Sequence, residues 1–173
     1  KFIENINRKD IQYLGNGFDN SLFYLFNKGN DNRDKYIITV GNLRWQKDHK
    51  SMIEAFHIFH KLHIDYKLII IGEGELRNEL EKQIQELNLQ DSISLKGKRD
   101  QKYIAELMNR SELFFLSSTT EGSPKVIYEA MACGLPILSA NVGDVNENTT
   151  NETSVIVDVD VNAMAEGLSE IID

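Results

Sequence analysis

Residues 113–132 read LFFLSSTTEGSPKVIYEAMA and contain the three parts of one structural unit. The four apolar residues at the start predict a strand that is buried on both faces. A loop of small and polar residues follows, and the apolar residues after this loop recur at helical spacing. A buried strand that leads through a short loop into a helix is the repeating unit of a parallel α/β sheet.

The same unit recurs from residue 36 to residue 173. Apolar runs predict six strands, which are Tyr36–Val40, Tyr66–Ile71, Ile93–Leu95, Leu113–Leu116, Leu135–Leu138 and Ser154–Val157. Helical spacing predicts five helices, at about Asp48–Leu62, Glu75–Leu87, Gln101–Met108, Lys125–Ala132 and Val161–Ile172. We therefore expect a Rossmann-like, doubly wound parallel sheet with helices on both faces and the strand order 3-2-1-4-5-6.

In this order the first and fourth strands are neighbours. The loops that begin after Gly41 and Leu116 then face each other across the crevice where such sheets bind ligands. We expect residues 36–173 to form this domain. Residues 1–35 do not follow the alternation, because a polar start, a brief strand at 11–17 and a polar loop at 27–34 come first. We predict that this segment links the domain to another one and packs on it.

The composition narrows the class of protein. A chain of 173 residues suffices for one domain. Nineteen basic against 27 acidic residues give a net charge of −8, which argues against a nucleic-acid partner. The single cysteine, Cys133, excludes an internal disulfide. There is no apolar run of membrane-spanning length and no opening signal segment, so we expect a cytoplasmic protein. The full-length protein can still lie at the inner membrane face.

The loop after the fourth strand has the features of an anion site. Ser123 suits the N-cap of the next helix, and Pro124 suits its first position because that position needs no N–H donor. The backbone amides of Lys125 and Val126 would then point into the crevice, and Gly122 would leave room for a ligand.

Cations gather at the same predicted edge of the sheet. The loops after the first and third strands supply four of them, and the helix start supplies the fifth. They are Arg44, Lys47, Lys98, Arg99 and Lys125. In a chain of net charge −8 this clustering favours a phosphate ligand. The alternative is that these loops are simply charged surface.

Two carboxylates are placed to face the same ligand. Glu121 lies in the crevice loop, and Glu129 lies about a turn and a half into the following helix. The alternative interpretation is a solvated loop residue and a surface helix residue, and the residues alone leave both open.

Residues 121–137, EGSPKVIYEAMACGLPI, resemble the E-x7-E segment of retaining GT-B glycosyltransferases of the group 1, family four type. Further segments resemble that family in the same order along the chain. They are Asn16–Asp19 with Phe23, Gly41–Leu43 with Lys47, Gly72–Leu76, and Gly143–Glu147. The resemblance covers residues 11 to 173 and implies one half of a GT-B fold, the C-terminal donor-binding domain.

The resemblance also implies a function, the transfer of a sugar from a UDP-, GDP- or ADP-sugar with retention at the anomeric carbon, as in polysaccharide biosynthesis. Neither a metal nor another cofactor is expected. The sugar, lipid-linked or polysaccharide acceptor would bind through an N-terminal domain that has no counterpart here, and we expect this chain alone to be inactive.

Specific residue roles follow from the same resemblance. Glu121 and Lys47 would be catalytic, Glu121 holding donor-sugar hydroxyls and Lys47 the diphosphate. Glu129 would hold the ribose, and backbone near Lys98 would meet the base. The full implied donor-binding set is Gly41, Asn42, Arg44, Lys98, Gly122, Ser123, Pro124, Lys125, Val126 and Glu129.

One position departs from the family pattern. The family commonly has arginine directly after the first glycine of the loop, where this chain has Asn42. Arg44, two residues later, is the candidate to supply that cation.

Three other functions are weighed against this one. They are a non-catalytic module that binds nucleotide or another protein, a nucleotide-sugar epimerase half, and a phosphorylase of related architecture. A metal site at His57, His60 and His63 is disfavoured, because a di-iron bundle needs ligands from four helices and histidines spaced along one amphipathic segment are more often surface residues. The Asp158-Val159-Asp160 sequence is better explained by Asp160 capping the last helix.

Overall fold

The computed structural model describes residues 17–26 and 33–173. Its strands are β1 (Tyr36–Val40), β2 (Lys67–Ile71), β3 (Ile93–Leu95), β4 (Leu113–Leu116), β5 (Ile137–Ala140) and β6 (Ser154–Val157). They form one sheet in the order β3-β2-β1-β4-β5-β6, and every neighbouring pair is parallel. The predicted doubly wound order is confirmed.

Helices cover both faces of this sheet. They are α1 (His49–His60), α2 (Arg77–Glu86), α3 (Gln101–Arg110), α4 (Lys125–Ala132), α5 (Val145–Asn148) and α6 (Val161–Ile172). Helix α1 packs against both α2 and α6, and α3 packs against α4. A 3-10 turn at Trp45–Lys47 and the four-residue α5 are additions to the prediction, since elements this short show no helical periodicity.

The centre of the sheet explains why the strands are apolar throughout. Strands β1 and β4 pair Ile37 with Leu113 and Ile38 with Phe114, and none of the four side chains is exposed. Strands covered by helices on both faces have no side that faces water. This register also brings the loops after Gly41 and Leu116 to the same edge of the sheet.

The strand β5 begins two residues later than the apolar pattern predicts. Helix α4 ends in a turn in which the Leu135 amide donates to Ala130 O at 3.1 Å and the Gly134 amide to Met131 O at 2.9 Å. This is the Schellman arrangement, and Gly134 has the left-handed φ of 71° that it requires. The turn takes up Leu135 and Pro136, so pairing starts at Ile137.

The described part of the leading segment contacts the domain. Phe23 is buried, and the side chain of Asn109 accepts a hydrogen bond from the Phe26 amide at 2.8 Å and donates one to Tyr24 O at 2.9 Å. Residues 11–16 of the predicted strand at 11–17 and residues 27–32 of the predicted loop at 27–34 lie outside the described residues. The division at residue 35 therefore stays a prediction.

Two other expectations bear on the helices. Asp160 caps α6, since its Oδ1 accepts from the amides of Asn162 and Ala163 at 2.9 Å each. Within residues 17–26 and 33–173, no helix is both long enough and apolar enough to cross a membrane.

Candidate functional site

A cavity of about 400 Å³ opens at the carboxyl ends of the central strands, and we call it the main cavity. The loops after β1, β2, β3 and β4 line it, together with the first turn of α4. Of the predicted site residues it holds Gly41, Asn42, Lys47, Lys98, Glu121, Ser123, Pro124, Lys125 and Val126. The sheet therefore brings the two predicted loops together at one crevice.

A second cavity of about 370 Å³ adjoins the first, and we call it the side cavity. Arg44, Gln46, Thr120 and Gly122 line it. Asn42, Lys47 and Glu121 line both cavities. Arg44 therefore belongs to the side cavity, whereas Asn42 stands where the two meet.

Lys47 and Glu121 form an ion pair at this boundary. Lys47 Nζ donates to Glu121 Oε1, and the Ser118 hydroxyl donates to the same oxygen at 2.7 Å. The two side chains are only 26% and 13% exposed. The carboxylate has little contact with water. These two hydrogen bonds therefore supply most of the stabilisation of its negative charge.

Backbone packing holds the loop after β1 in place. A Cβ atom at Gly72 would lie 1.8 Å from Gly41 O, so no other residue fits there without movement. Leu43 donates its amide to Glu73 O at 3.0 Å and accepts from the Leu76 amide at 3.1 Å. The loop that carries Lys47 thus rests directly on the turn after β2.

The loop after β4 is held from both sides. Towards β1, the Ser117 hydroxyl donates to Lys47 O at 2.8 Å and the Thr119 amide donates to Gln46 O at 2.9 Å. Towards β5, the Asp144 amide donates to Gly122 O at 3.0 Å. The loop is therefore hydrogen-bonded to the loop after β1 on one side and to the loop after β5 on the other.

Tyr128 extends the contact with the β5 side. Its hydroxyl donates to Asp144 Oδ2 at 3.2 Å and lies 3.3 Å from Ser123 Oγ, which supplies a second hydrogen bond. Gly143 comes so close that a Cβ atom there would lie 2.2 Å from Gly122 O. Tyr128, Gly143 and Asp144 line neither cavity, so they act on the site through Gly122 and Ser123.

The start of α4 corrects one prediction. Pro124 occupies the N-cap position, and the cap has no side-chain hydrogen bond, so the prediction that Ser123 caps the helix is wrong. The helix begins at Lys125, one residue later than a Ser123 cap would place it. The amides of Lys125 and Val126 still have no acceptor within the helix, since the first turn never supplies one.

Glu129 lies deeper than the other predicted residues. It is 8% exposed and lines neither cavity, so the alternative of a surface helix residue is wrong. Burial raises the pKa of its carboxyl group, while Lys125, 3.6 Å away, acts in the opposite direction. Its predicted contact with a ribose remains a prediction.

Positive charge dominates the main cavity. Lys47, Lys98, Arg99 and Lys125 line it, against one carboxylate, that of Glu121. The guanidinium of Arg99 also lies over the Tyr103 ring, 5.3 Å from its centre. A cationic crevice in a chain of net charge −8 favours an anionic ligand. Among the residues that the structure describes, no group of three or more His, Cys, Asp or Glu could hold a metal ion.

The sequence analysis missed several residues that hold the site together. They are Gln46, Ser118, Tyr128 and, as a hydrogen-bond partner of the crevice loop, Asp144. A resemblance segment contains Asp144, but no local pattern links it to Gly122. Ser118 lies three residues before Glu121, a spacing at which a hydroxyl can reach a loop carboxylate.

A profile of the family described as "Glycosyl transferases group 1" matches residues 22–173. The chain belongs to this family. A relative from Campylobacter jejuni is 33% identical over 144 residues, which are 82% of this chain and 38% of the relative. That protein is named N-acetylgalactosamine-N,N'-diacetylbacillosaminyl-diphospho-undecaprenol 4-alpha-N-acetylgalactosaminyltransferase.

A second relative, from Escherichia coli, is 35% identical over 124 residues, 69% of this chain and 32% of its own length. It is named UDP-Gal:alpha-D-GlcNAc-diphosphoundecaprenol alpha-1,3-galactosyltransferase. The chain thus spans less than two-fifths of the length of these two relatives.

Solved structures agree with the fold. The C-terminal domain of the group 1 protein LpcC from Francisella tularensis has a TM-score of 0.79 at 23% identity, covering 90% of this chain and 88% of that domain. Sucrose-phosphate synthase from Thermosynechococcus elongatus has a TM-score of 0.78 at 25% identity, covering 90% and 42%. Anabaena HepE, in complex with UDP and glucose, has a TM-score of 0.76 at 23% identity, covering 91% and 46%. The fold is one half of a GT-B glycosyltransferase.

Proposed function

We propose that this chain is the C-terminal, donor-binding domain of a retaining GT-B glycosyltransferase that uses a nucleoside-diphosphate sugar. The observation that carries the proposal is the meeting of Lys47 with the first turn of α4 in one cationic cavity. A helix start with unpaired amides and an ammonium group on the opposite wall together form a receptor for a diphosphate.

The two cavities suit the two parts of such a donor. The main cavity, with four cations, would take the nucleoside diphosphate, with the base near Lys98. The side cavity would take the sugar, with Arg44 and Gln46 on its wall. Glu121 lines both, so it would contact sugar hydroxyls next to the bond that breaks.

The chain's residues would assist the reaction through charge. The bond between the anomeric carbon and the diphosphate oxygen breaks, and its electron pair leaves with the diphosphate. The acceptor oxygen forms the new bond on the same face of the sugar, and its proton passes to the departing diphosphate. Lys47 and the amides at the start of α4 would stabilise the charge that grows on the departing diphosphate. No metal or cofactor enters this scheme.

The relatives support the nature of donor and acceptor. The HepE structure contains UDP and glucose, and the E. coli relative is named for UDP-Gal, so we propose UDP as the nucleotide. Both curated relatives are named for diphosphoundecaprenol-linked acceptors. We propose a sugar or lipid-linked acceptor held by an N-terminal domain, at the cytoplasmic face of the membrane, and no turnover by this chain alone.

Titration of the chain with UDP, GDP and ADP, followed by thermal unfolding, tests the proposal. A nucleotide at a hundredfold excess over its Kd stabilises the folded state by about 2.7 kcal/mol. For a domain of this size that raises the Tm by roughly 5 to 10 °C. The absence of a shift with all three nucleotides would contradict donor binding.

Two lysine substitutions, one inside the site and one outside it, provide a matched comparison. Lys47→Met should weaken UDP binding at least about tenfold, because a charge-assisted hydrogen bond contributes about 1.5–3 kcal/mol. Lys50→Met removes the same charge from a lysine that pairs with Glu79 at 2.5 Å and lines neither cavity. It should leave UDP binding within about twofold. Equal effects of the two variants would mean that only net charge attracts the nucleotide.

A further inference from the structure

We infer that Glu121 makes the site discriminate against the bare nucleoside diphosphate, the product that must leave. The inference rests on the proposed function and concerns the ion pair between the two cavities. In the empty site Glu121 already holds the lysine that a diphosphate would use. Glu121 is therefore a specificity-determining residue as well as a contact for the sugar.

The pair is positioned so that a diphosphate must compete with it. Lys47 and Glu121 line both cavities, and Lys47 Nζ points to Glu121 Oε1. A diphosphate in the main cavity gains from Lys47 only to the extent that the ammonium group turns away from Glu121. Within the described part of the chain, Lys47 is the cation that forms an ion pair with this carboxylate.

Without the Lys47 ammonium group, the negative charge of Glu121 would be poorly stabilised. With Lys47 in place the side chain is 13% exposed, so water would replace only part of the lost interaction. Ser118 would still donate to Oε1, but a neutral hydroxyl compensates a carboxylate less than an ammonium group does. Separating this partly buried ion pair therefore costs free energy, which a bound diphosphate must supply.

The sugar of the intact donor would again stabilise the charge of Glu121. Its hydroxyls, in the side cavity, can donate charge-assisted hydrogen bonds to the carboxylate that Lys47 has released. The bare diphosphate has no such groups. The site should therefore bind the nucleotide sugar well and the nucleotide product less well, which favours release of the product after transfer.

The test is the substitution Glu121→Gln, with Kd values for UDP and UDP-glucose from calorimetry. Glutamine keeps the shape and can accept from a sugar hydroxyl, but it does not hold an ammonium group by charge. UDP affinity should rise about threefold to tenfold, the scale of a partly screened ion pair of about 1 kcal/mol. Affinity for UDP-glucose should stay level or fall, so the preference for the conjugate shrinks.

The control Glu79→Gln changes the net charge equally at a lysine–glutamate pair outside both cavities. It should leave UDP affinity unchanged. A rise of UDP affinity in Glu79→Gln equal to that in Glu121→Gln would overturn the inference, because general electrostatics would then explain both.

Ser118→Ala is an independent variant that should change UDP affinity in the opposite direction. Without that hydroxyl, Glu121 depends on Lys47 alone, so UDP affinity should fall about twofold to threefold. Structural loosening would weaken binding in both Glu121→Gln and Ser118→Ala, whereas competition moves them in opposite directions. Unchanged or weaker UDP binding by Glu121→Gln overturns the inference. If the wild-type chain binds none of UDP, GDP and ADP, the proposed function itself fails.

Discussion

The two loops that face each other across the main cavity are held by different forces. The loop after β1 rests on the turn after β2 through backbone contacts, with Gly72 against Gly41 O as the tightest of them. The loop after β4 depends mainly on polar side chains, those of Ser117 and Ser118 on one side and of Tyr128 and Asp144 on the other. This loop also makes backbone contacts, which are the hydrogen bonds of the Thr119 and Asp144 amides and the approach of Gly143 to Gly122.

We call the loop after β1 the fixed wall and the loop after β4 the adjustable wall. Backbone packed on backbone tolerates no added atom, so a substitution there should act through steric clash and destabilise the fold. A hydrogen-bonded side chain can be lost at a cost of about 1 kcal/mol, so substitutions there should act mainly on ligand binding. The comparison predicts four effects on stability, of decreasing size.

The largest effect is expected from Gly72→Ala, which attacks the fixed wall. The new Cβ atom would lie 1.8 Å from Gly41 O, and Gly72 has φ 151°, which other residues rarely adopt. Overpacking and backbone strain together should lower the free energy of unfolding by about 4 kcal/mol. Chemical denaturation measures this directly.

Gly122→Ala is the matched control on the adjustable wall. A Cβ atom at Gly122 would have no neighbour within 4 Å, and its stability should change by less than about 0.5 kcal/mol. Equal destabilisation by the two substitutions would remove the distinction between the loops.

The second effect is a pH dependence of the stability, caused by a histidine close to the fixed wall. His49, at the start of α1, is 1% exposed, and burial lowers its pKa to about 4, with Lys47 adding to the effect and Asp48 opposing it. The unfolded chain binds a proton at about pH 6.5 and the folded chain only near pH 4. Stability should therefore fall as the pH drops through this window, by about 2–3 kcal/mol for this group.

His49→Leu identifies the group responsible. Leucine does not titrate, so the loss of stability between about pH 7 and about pH 4.5 should be smaller in the variant than in the wild type. Denaturation curves at the two pH values measure the difference. Parallel losses in both proteins would assign the acid sensitivity to other groups.

The sequence predicted the fold well for a physical reason. Strands buried on both faces are apolar without interruption, so runs such as Leu113–Leu116 identify the parallel sheet, and the order of a doubly wound sheet follows. The same order brought the loops of Lys47 and Glu121 to one crevice. The cations that gather there were visible because they depart from a net charge of −8.

The contacts that hold the site could not be predicted in this way. Lys47 and Glu121 are 74 residues apart, and no local pattern pairs them. The contacts of Tyr128 and Asp144 with the crevice loop likewise depend on how two loops approach. Even the local rule for Ser123 failed, because Pro124 holds the N-cap position and Ser123 lies near Tyr128 instead.

A third, smaller effect should follow from Tyr128→Phe on the adjustable wall. The substitution keeps the ring and removes the hydroxyl that joins Asp144 to Ser123. The free energy of unfolding should fall by about 1 kcal/mol, a Tm decrease of about 3 °C. UDP binding should weaken about threefold, because Ser123 and the start of α4 line the main cavity. Unchanged UDP affinity at reduced stability would limit Tyr128 to a structural role.

The smallest effect on stability, and the one that separates binding from stability, is expected from Glu129→Gln in the helix behind the adjustable wall. Burial raises the pKa of this carboxyl group above its unfolded value, so the charged form destabilises the fold at pH values above both. Glutamine removes that charge, and because loss of the Lys125 interaction offsets part of the gain, we expect a Tm rise of only about 1–2 °C. The proposed ribose contact loses a charged acceptor at the same time, so UDP affinity should fall about tenfold. A more stable protein that binds UDP less well would assign Glu129 to the ligand. Unchanged affinity would leave it a buried partner of Lys125, and a lower Tm would mean that this pairing outweighs the effect of burial.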